Sequence, residues 1–288
     1  MIEIFQSYPS ADFKHWVSKV ARPIDYSSLP QGSEYDLFKH VFDFGLAGDK
    51  PWGLVSWKFR LKSSIELQNF FEFSARELEA GADCVFINPM IANEAIFSNV
   101  WEQWVFTGPP IVRNLYSYLA DNKLMKCPPV MDCLTFSFCN YFVANSNFWI
   151  RYFFYVDSIL AAIEDEVLKN SPIGNVYKSS AGYPKNLNLS TKPFIIERLF
   201  STFISENKDL DVRNYLYSQD MYTNKLGGVM GLFCKEMSDL KGLALKDNDS
   251  HALAEWQARR VNLLNDREQL FTLLNADDPS IIFANKRL

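Results

Sequence analysis

The sequence contains none of the glycine-rich phosphate loops. No G-x-G-x-x-G follows a strand-like run and no G-x-x-x-x-G-K-[ST] occurs, so dinucleotide oxidoreductases and P-loop NTPases lose their main support. There is no G-x-S-x-G elbow. Histidine is scarce: His15, His40 and His251 are far apart on predicted helices and read as surface residues, not as members of a triad. The five cysteines, Cys84, Cys127, Cys133, Cys139 and Cys234, form no C-x-x-C pair with histidines at ligand spacing, which excludes a zinc motif. Their odd number argues against a disulfide framework and for buried free thiols in a reducing compartment. Cations are not clustered. The net charge is −5, and Arg259–Arg260 and Lys286–Arg287 are too small to displace counterions from a duplex, so nucleic acid is not an expected partner. The most apolar stretch, Phe148 to Ile163, carries Arg151 and Asp157 and is too short and polar to span a bilayer. The start, MIEIFQSYPSADF, lacks the basic and apolar regions of a secretory signal, and a soluble cytoplasmic protein is expected.

What is present is a globular composition: 48% apolar and 22% charged over 288 residues, enough for one large domain or two small ones. The 24 Phe, 13 Tyr and 7 Trp supply core volume and flat surfaces for ring-shaped ligands. Apolar runs bounded by turn residues predict strands at Ile2–Phe5, Trp52–Trp57, Asp83–Ile87 and Cys133–Val143. Helical spacing and caps predict helices from Asp12 to Val20, Glu34 to Phe44, Ser64 to Glu79, Asn93 to Trp104, Arg113 to Asp121, Phe148 to Leu168, from Pro193 to Glu206, and Ser250 to Ala276. Residues 170–192 lack periodicity and read as a mobile lid. No internal repeat or low-complexity tract is found.

Strands alternating with helices over the first 145 residues predict an α/β fold, with a mainly parallel central sheet covered by helices on both faces and a helical C-terminal tail. Ligands on such sheets bind beyond the carboxyl ends of the strands. That rule selects Gln6, Ser7 and Tyr8, then Ser56 and Lys58, then Asn88, and the surroundings of Asn140.

The blocks SEYDLFKH, PWGLVSWKFRLKS, GADCVFINP and NVWEQW, followed by CNYFVANSNFWIRYFFYVDSIL and PFIIERLFSTFI, resemble bacterial glycosyltransferases of capsule and O-antigen gene clusters. The likeness covers roughly residues 1 to 205. It implies a GT-A-like nucleotide-sugar transferase domain there, with 206–288 as a helical extension packed on it. It also implies a nucleotide-diphosphate-sugar donor, a glycan or lipid-linked glycan acceptor, and a place in the cytoplasm or at the inner face of the membrane. One departure stands out. Most such enzymes hold a divalent cation with Asp-x-Asp after a core strand, whereas DCVFI runs into Asn88-Pro89-Met90. The Asp209-Leu210-Asp211 and Asp247-Asn248-Asp249 patterns lie in polar segments. No cofactor and no metal ligand is therefore predicted, since a hard cation needs anionic oxygens beside the phosphates.

Sugar transfer needs a base for the acceptor hydroxyl and charge stabilisation for the departing diphosphate. Glu197, within the apolar PFIIERLF, is the candidate base and Arg198 a diphosphate or sugar contact; an exposed ion pair is the alternative. Glu102 is a second candidate carboxylate, with Gln103 reading hydroxyls and Trp101 stacking on a sugar face; an amphipathic helix end is the alternative. Lys58, at a strand's carboxyl end, is placed to meet phosphate. Asn140, polar in an apolar run, must find partners. The tail helix at 250–276 carries an apolar stripe for core packing or a homodimer seam. The competing reading of the whole is a non-catalytic carbohydrate- or nucleotide-binding protein on the same scaffold.

Overall fold

Leu54 and Val55, Val85 and Phe86, and Phe142 and Val143 are consecutive strand residues on opposite sides of the pleat, and all six are fully buried. The centre of the sheet is therefore covered on both faces. The structure is a computed structural model that describes residues 1–27, 34–108, 112–126, 128–179 and 191–278.

The chain enters through β1 (Glu3–Tyr8), a 3₁₀ turn at Ala11–Trp16, β2 (Arg22–Asp25), α1 (Glu34–Asp43) and β3 (Trp52–Ser56). Helices α2 (Phe59–Ser63) and α3 (Leu67–Glu79) lead to β4 (Cys84–Phe86), followed by α4 (Ile91–Ile96), α5 (Val100–Thr107) and α6 (Val112–Asp121). Then come β5 (Phe142–Ala144), α7 (Ser146–Leu168), α8 (Pro172–Lys178), α9 (Lys192–Glu206) and β6 (Val212–Asn214). The described chain closes with α10 (Gln219–Leu226), α11 (Gly228–Lys246), α12 (Ser250–Asn265) and α13 (Arg267–Asp277).

The six strands form one mixed, mostly parallel sheet in the order β2-β1-β3-β5-β4-β6, with β5 antiparallel to both neighbours. Where β5 meets β3 the backbones close in: a Cβ on Gly53 would stand 2.0 Å from the Phe142 carbonyl oxygen, so the strand takes glycine. Aromatic rings from α1, α7 and α9 cover one face. Trp149 stacks on Trp52 with centroids 4.0 Å apart, and its indole N–H donates to the Trp52 carbonyl at 3.0 Å. Phe200 stacks on Phe142 at 4.4 Å. Among the described residues no helix is long and apolar enough to cross a membrane.

Several elements differ from the sequence reading, each for a local reason. Asp12–Val20 makes only a short 3₁₀ turn, and the unforeseen β2 follows, because its edge pairing with β1 outweighs its weak pattern. The single helix expected over Asn93–Trp104 is two: Asn99 turns the chain and its side chain accepts from Trp101 N and Glu102 N, starting a new helix. Ser64 does not cap α3; it ends α2 in the left-handed region with φ 60°. Of Cys133–Val143 only the last residues are strand, because Cys139 and Asn140 take φ of 71° and 50° and break the extended run. Pro172–Lys178 is helix within the expected loop, capped by Ser171; residues 180–190 of that loop lie outside the described residues. The tail helix is divided at Asp266, whose carboxylate accepts from Gln269 N.

The segment after residue 206 is tied into the core through one short helix. A six-residue helix leaves most of its backbone groups without internal partners. For α4 the C-terminal segment supplies them. Asp277 accepts from Ala92 N at 2.8 Å and Asn93 N at 3.1 Å at one end. At the other, Lys241 donates to the Glu94 and Phe97 carbonyls, Trp256 Nε1 to the Ala95 carbonyl at 2.8 Å, and Arg260 to the Ile96 carbonyl at 3.2 Å. Thus α12 spends Trp256 and Leu263 of its apolar stripe inside the chain. The same segment contributes β6, which pairs with β4.

Candidate functional site

The chain moves to one side of β1 to form β2 and then crosses to the other side to form β3. This reversal is a topological switch point, and ligands on open α/β sheets bind in the crevice outside the carboxyl ends there. Gln6, Ser7 and Tyr8 are the last residues of β1 and Ser56 the last of β3, so the first expected group does converge. Two of these side chains hold the backbone. Gln6 Nε2 donates to the Ser56 carbonyl at 3.2 Å while its Oε1 accepts from Ser18 N at 2.7 Å. Ser7 Oγ reaches the Val55 carbonyl at 3.5 Å. Ser56 Oγ is 2.6 Å from the Tyr141 hydroxyl across to the strand that runs the other way. At the same end of the sheet Trp57 packs with Phe13 and Trp16, at ring distances of 4.5 and 6.0 Å, and Lys58 lies over its ring.

Around this edge, charges of the same sign are brought together. Lys58 is partly buried, and burial together with the neighbouring Lys62 ammonium lowers its pKa, outweighing Asp278 and Cys139. Lys62, on α2, is held 3.3 Å from Cys139 Sγ and 3.8 Å from Asp278. Burial lowers the Lys62 pKa, but its neighbours, the carboxylates of Asp278 and Glu197 among them, more than reverse this and it stays a cation. Burial holds Cys139 as a neutral thiol despite that ammonium.

Opposite the lysines are two carboxyls. Glu197, from α9, accepts the Cys139 backbone N–H at 2.7 Å. Glu34, at the start of α1, keeps some solvent contact, yet enough protein surrounds its carboxyl that desolvation dominates. With the Glu197 charge adding to it, and Lys62 and the Asn140 amide opposing, its pKa rises to about 8. Glu34 therefore keeps its proton near neutrality. Asn140 is buried, and its Oδ1 accepts no hydrogen bond from the protein. The left-handed turn at Cys139–Asn140 sets the Cys139 N–H on Glu197 and the Asn140 amide beside Glu34. Sequence reasoning missed Glu34 and Lys62, and reached Cys139 and Tyr141 only as the surroundings of Asn140. The signal available for Lys62 was its position one helical turn beyond Lys58.

Other expected site residues do not join this cluster. Glu197 and Arg198 diverge. The Arg198 guanidinium is buried over Trp104, 4.3 Å from its centroid, and donates to the Val100 and Phe194 carbonyls and to Gln103 Oε1. Glu102 is gripped by Arg260 through two bonds of 2.7 and 3.0 Å and also accepts Ser98 N at 2.6 Å. Burial raises its pKa, but Arg260 and Ser98 outweigh this and hold the carboxyl below its ordinary range. Trp101 is buried and donates to Thr202 at 2.8 Å, so its faces are core. Asn88 is buried and braces the neighbouring loop, accepting Met90 N at 3.1 Å and Phe138 N at 3.2 Å. The Asp-x-Asp pairs are used elsewhere: Asp209 binds Arg151, Asp211 binds Arg213 at the amino end of β4, and Asp249 caps α12. Among the described residues no group of three or more His, Cys, Asp or Glu is arranged to hold a metal ion.

This end of the sheet thus combines two ammonium groups, a carboxylate with one fixed hydrogen bond, a carboxyl that keeps its proton near neutrality, and an aromatic cluster at Trp57. It is equipped to hold an anion and to move a proton. No protein-family model matches the chain, and no curated protein and no solved structure matches it either.

Proposed function

We propose that the chain is a glycosyltransferase with a GT-A-like scaffold. It moves a sugar from a nucleotide-diphosphate donor to a glycan or lipid-linked glycan acceptor in bacterial surface-polysaccharide synthesis, at the cytoplasmic side. One observation carries the reading: the Lys58–Lys62 pair faces the Glu34–Glu197 pair at the switch point of the sheet. Two adjacent cations call for an anion of high charge density, and a departing diphosphate is one. Lys58 and Lys62 stabilise that charge in place of a metal, and the aromatic cluster at Trp57 offers a face for the nucleoside. Glu197 is the base that takes the acceptor proton, while Glu34 holds its own proton and relieves the repulsion between the two carboxyls. Arg198 and Glu102 act as framework.

The test is nucleoside diphosphate release from a panel of nucleotide-sugars, in EDTA and with Mn²⁺ or Mg²⁺. The reading predicts turnover that survives EDTA, and a ~10²–10⁴-fold loss in Glu197→Gln with melting temperature nearly unchanged. Turnover that needs the metal would sink the lysine assignment. Nucleotide binding without turnover of any donor would favour the non-catalytic binding protein.

A further inference from the structure

A second opening lies beyond the carboxyl ends of β4 and β6, against α11, on the far side of Asn88 from the lysines. It is a cavity of about 100 Å³ that opens to solvent; on this measure one water needs roughly 10–15 Å³, so there is room for a single small ring. Glu94 is 1% exposed and lines it. Its Oε1 forms an ion pair with Lys241 Nζ at 2.9 Å, and neither of its oxygens accepts a hydrogen bond of good geometry from the protein. Lys241 is committed to the Glu94 and Phe97 carbonyls as well, so it has little left to donate. Asn214, at the end of β6, shows the same pattern: its Nδ2 donates to the Cys133 carbonyl, and its Oδ1 has no donor. That bond fixes the amide, because the flipped form would set oxygen against oxygen.

Two acceptors in one pocket, one of them deeply buried, lack donors. A buried acceptor without a donor is costly, so a ligand that donates is favoured. Charge narrows the choice. Glu94 is balanced by Lys241, and Asp239 at the rim by Lys235 at 2.5 Å, so the pocket is electrically neutral. An ammonium ligand would be desolvated with no net charge to receive it. Ile91, Leu216 and Tyr217 add apolar wall, suited to the C–H face of a ring. We infer that this pocket binds a neutral, polyhydroxylated ring such as a single sugar unit, with hydroxyls donating to Glu94 Oε2 and Asn214 Oδ1. Binding stands by itself; use of the pocket as the acceptor's subsite rests on the function proposed above. Tyr217 links the two regions, since its hydroxyl donates to the Ser63 carbonyl at 2.7 Å, next to Lys62.

The experiment is a methyl NMR titration of the full chain with glucose, galactose and N-acetylglucosamine, and separately with ethanolamine. At least one sugar is expected to shift the Ile91 and Leu216 methyls saturably, and Asn214→Ala to weaken that binding about tenfold. No shift with any sugar, or a shift with ethanolamine alone, overturns the inference; should Asn214→Ala fail to fold, the wild-type titration decides. A parallel titration with uridine, guanosine and cytidine diphosphate follows the Val55 methyls. A nucleotide response without a sugar response sinks this pocket and leaves the proposed function standing, and the reverse pattern does the opposite.

Discussion

Around α4, buried charges of opposite sign meet in pairs: Glu94 with Lys241, Asp277 with Lys225, and, on neighbouring α5, Glu102 with Arg260. At the carboxyl ends of β1 and β3, charges of like sign meet instead: Lys58 beside Lys62 and Glu34 beside Glu197. The first arrangement fastens the C-terminal segment to the sheet. Even there charge burial is costly: burial raises the pKa of Asp277 and lowers that of Lys225 in spite of their attraction. Such pairs persist because each also closes the ends of a short helix. The second arrangement is only partly compensated, by the Lys62–Asp278 contact at 3.8 Å and the Glu197 bond to the Cys139 N–H. It makes sense as a place where a ligand supplies what the protein withholds. The sign pattern, more than burial, separates framework from site.

The comparison can be broken from either side. The largest effect belongs to the framework. Lys241→Met leaves Glu94 buried without its partner and removes two carbonyl bonds, and it should cost about 3–5 kcal/mol in urea denaturation. A loss under 1 kcal/mol would mean that the clamp on α4 is dispensable. Arg260→Met exposes a smaller weakness, because Glu102 keeps the Ser98 N–H and partial solvent contact. About 2 kcal/mol is expected, with no change in nucleotide affinity. On the site side, Lys58→Met removes one of two repelling cations. Its melting temperature should hold or rise slightly, while affinity for a nucleoside diphosphate, followed by calorimetry, drops about tenfold. A fall in stability with unchanged affinity would place Lys58 with the framework.

Much of this was readable from residue order. The strand-to-polar-loop steps at Gln6–Tyr8 and Ser56–Lys58 named one side of the site, because strand ends in an alternating α/β chain fall on one edge. Glu197 was legible as a charge among apolar neighbours, and it accepts the Cys139 N–H near Lys62. By the same logic Glu102 and Arg198 looked alike, yet they were captured by Arg260 and by the carbonyls of Val100 and Phe194. Phe194 is one helical turn from Arg198, but Arg260 and Val100 are about 160 and 100 residues away in the chain from the groups they hold, which no spacing rule reaches. Glu34 was hidden for the opposite reason: at the start of a helix an acid looks like an ordinary dipole partner. The antiparallel β5 and the edge strand β6 are three residues each, too short to carry a period.

The most direct test is the stability of wild type and Glu34→Gln, measured by urea denaturation from pH 5 to pH 9. Folded Glu34 holds its proton to about pH 8, whereas the unfolded carboxyl releases it in the ordinary range. Between those values the folded state binds more protons, so wild-type stability falls as pH rises through the window. Glutamine cannot titrate, and the variant should lack this loss. Allowing for solvent contact, the difference between the two proteins should change by something on the order of 2 kcal/mol from pH 5 to pH 8.5 in the variant's favour. Parallel pH curves, with Glu34→Gln less stable than wild type throughout, would show Glu34 to be an ordinary structural carboxylate and would contradict the account of the site.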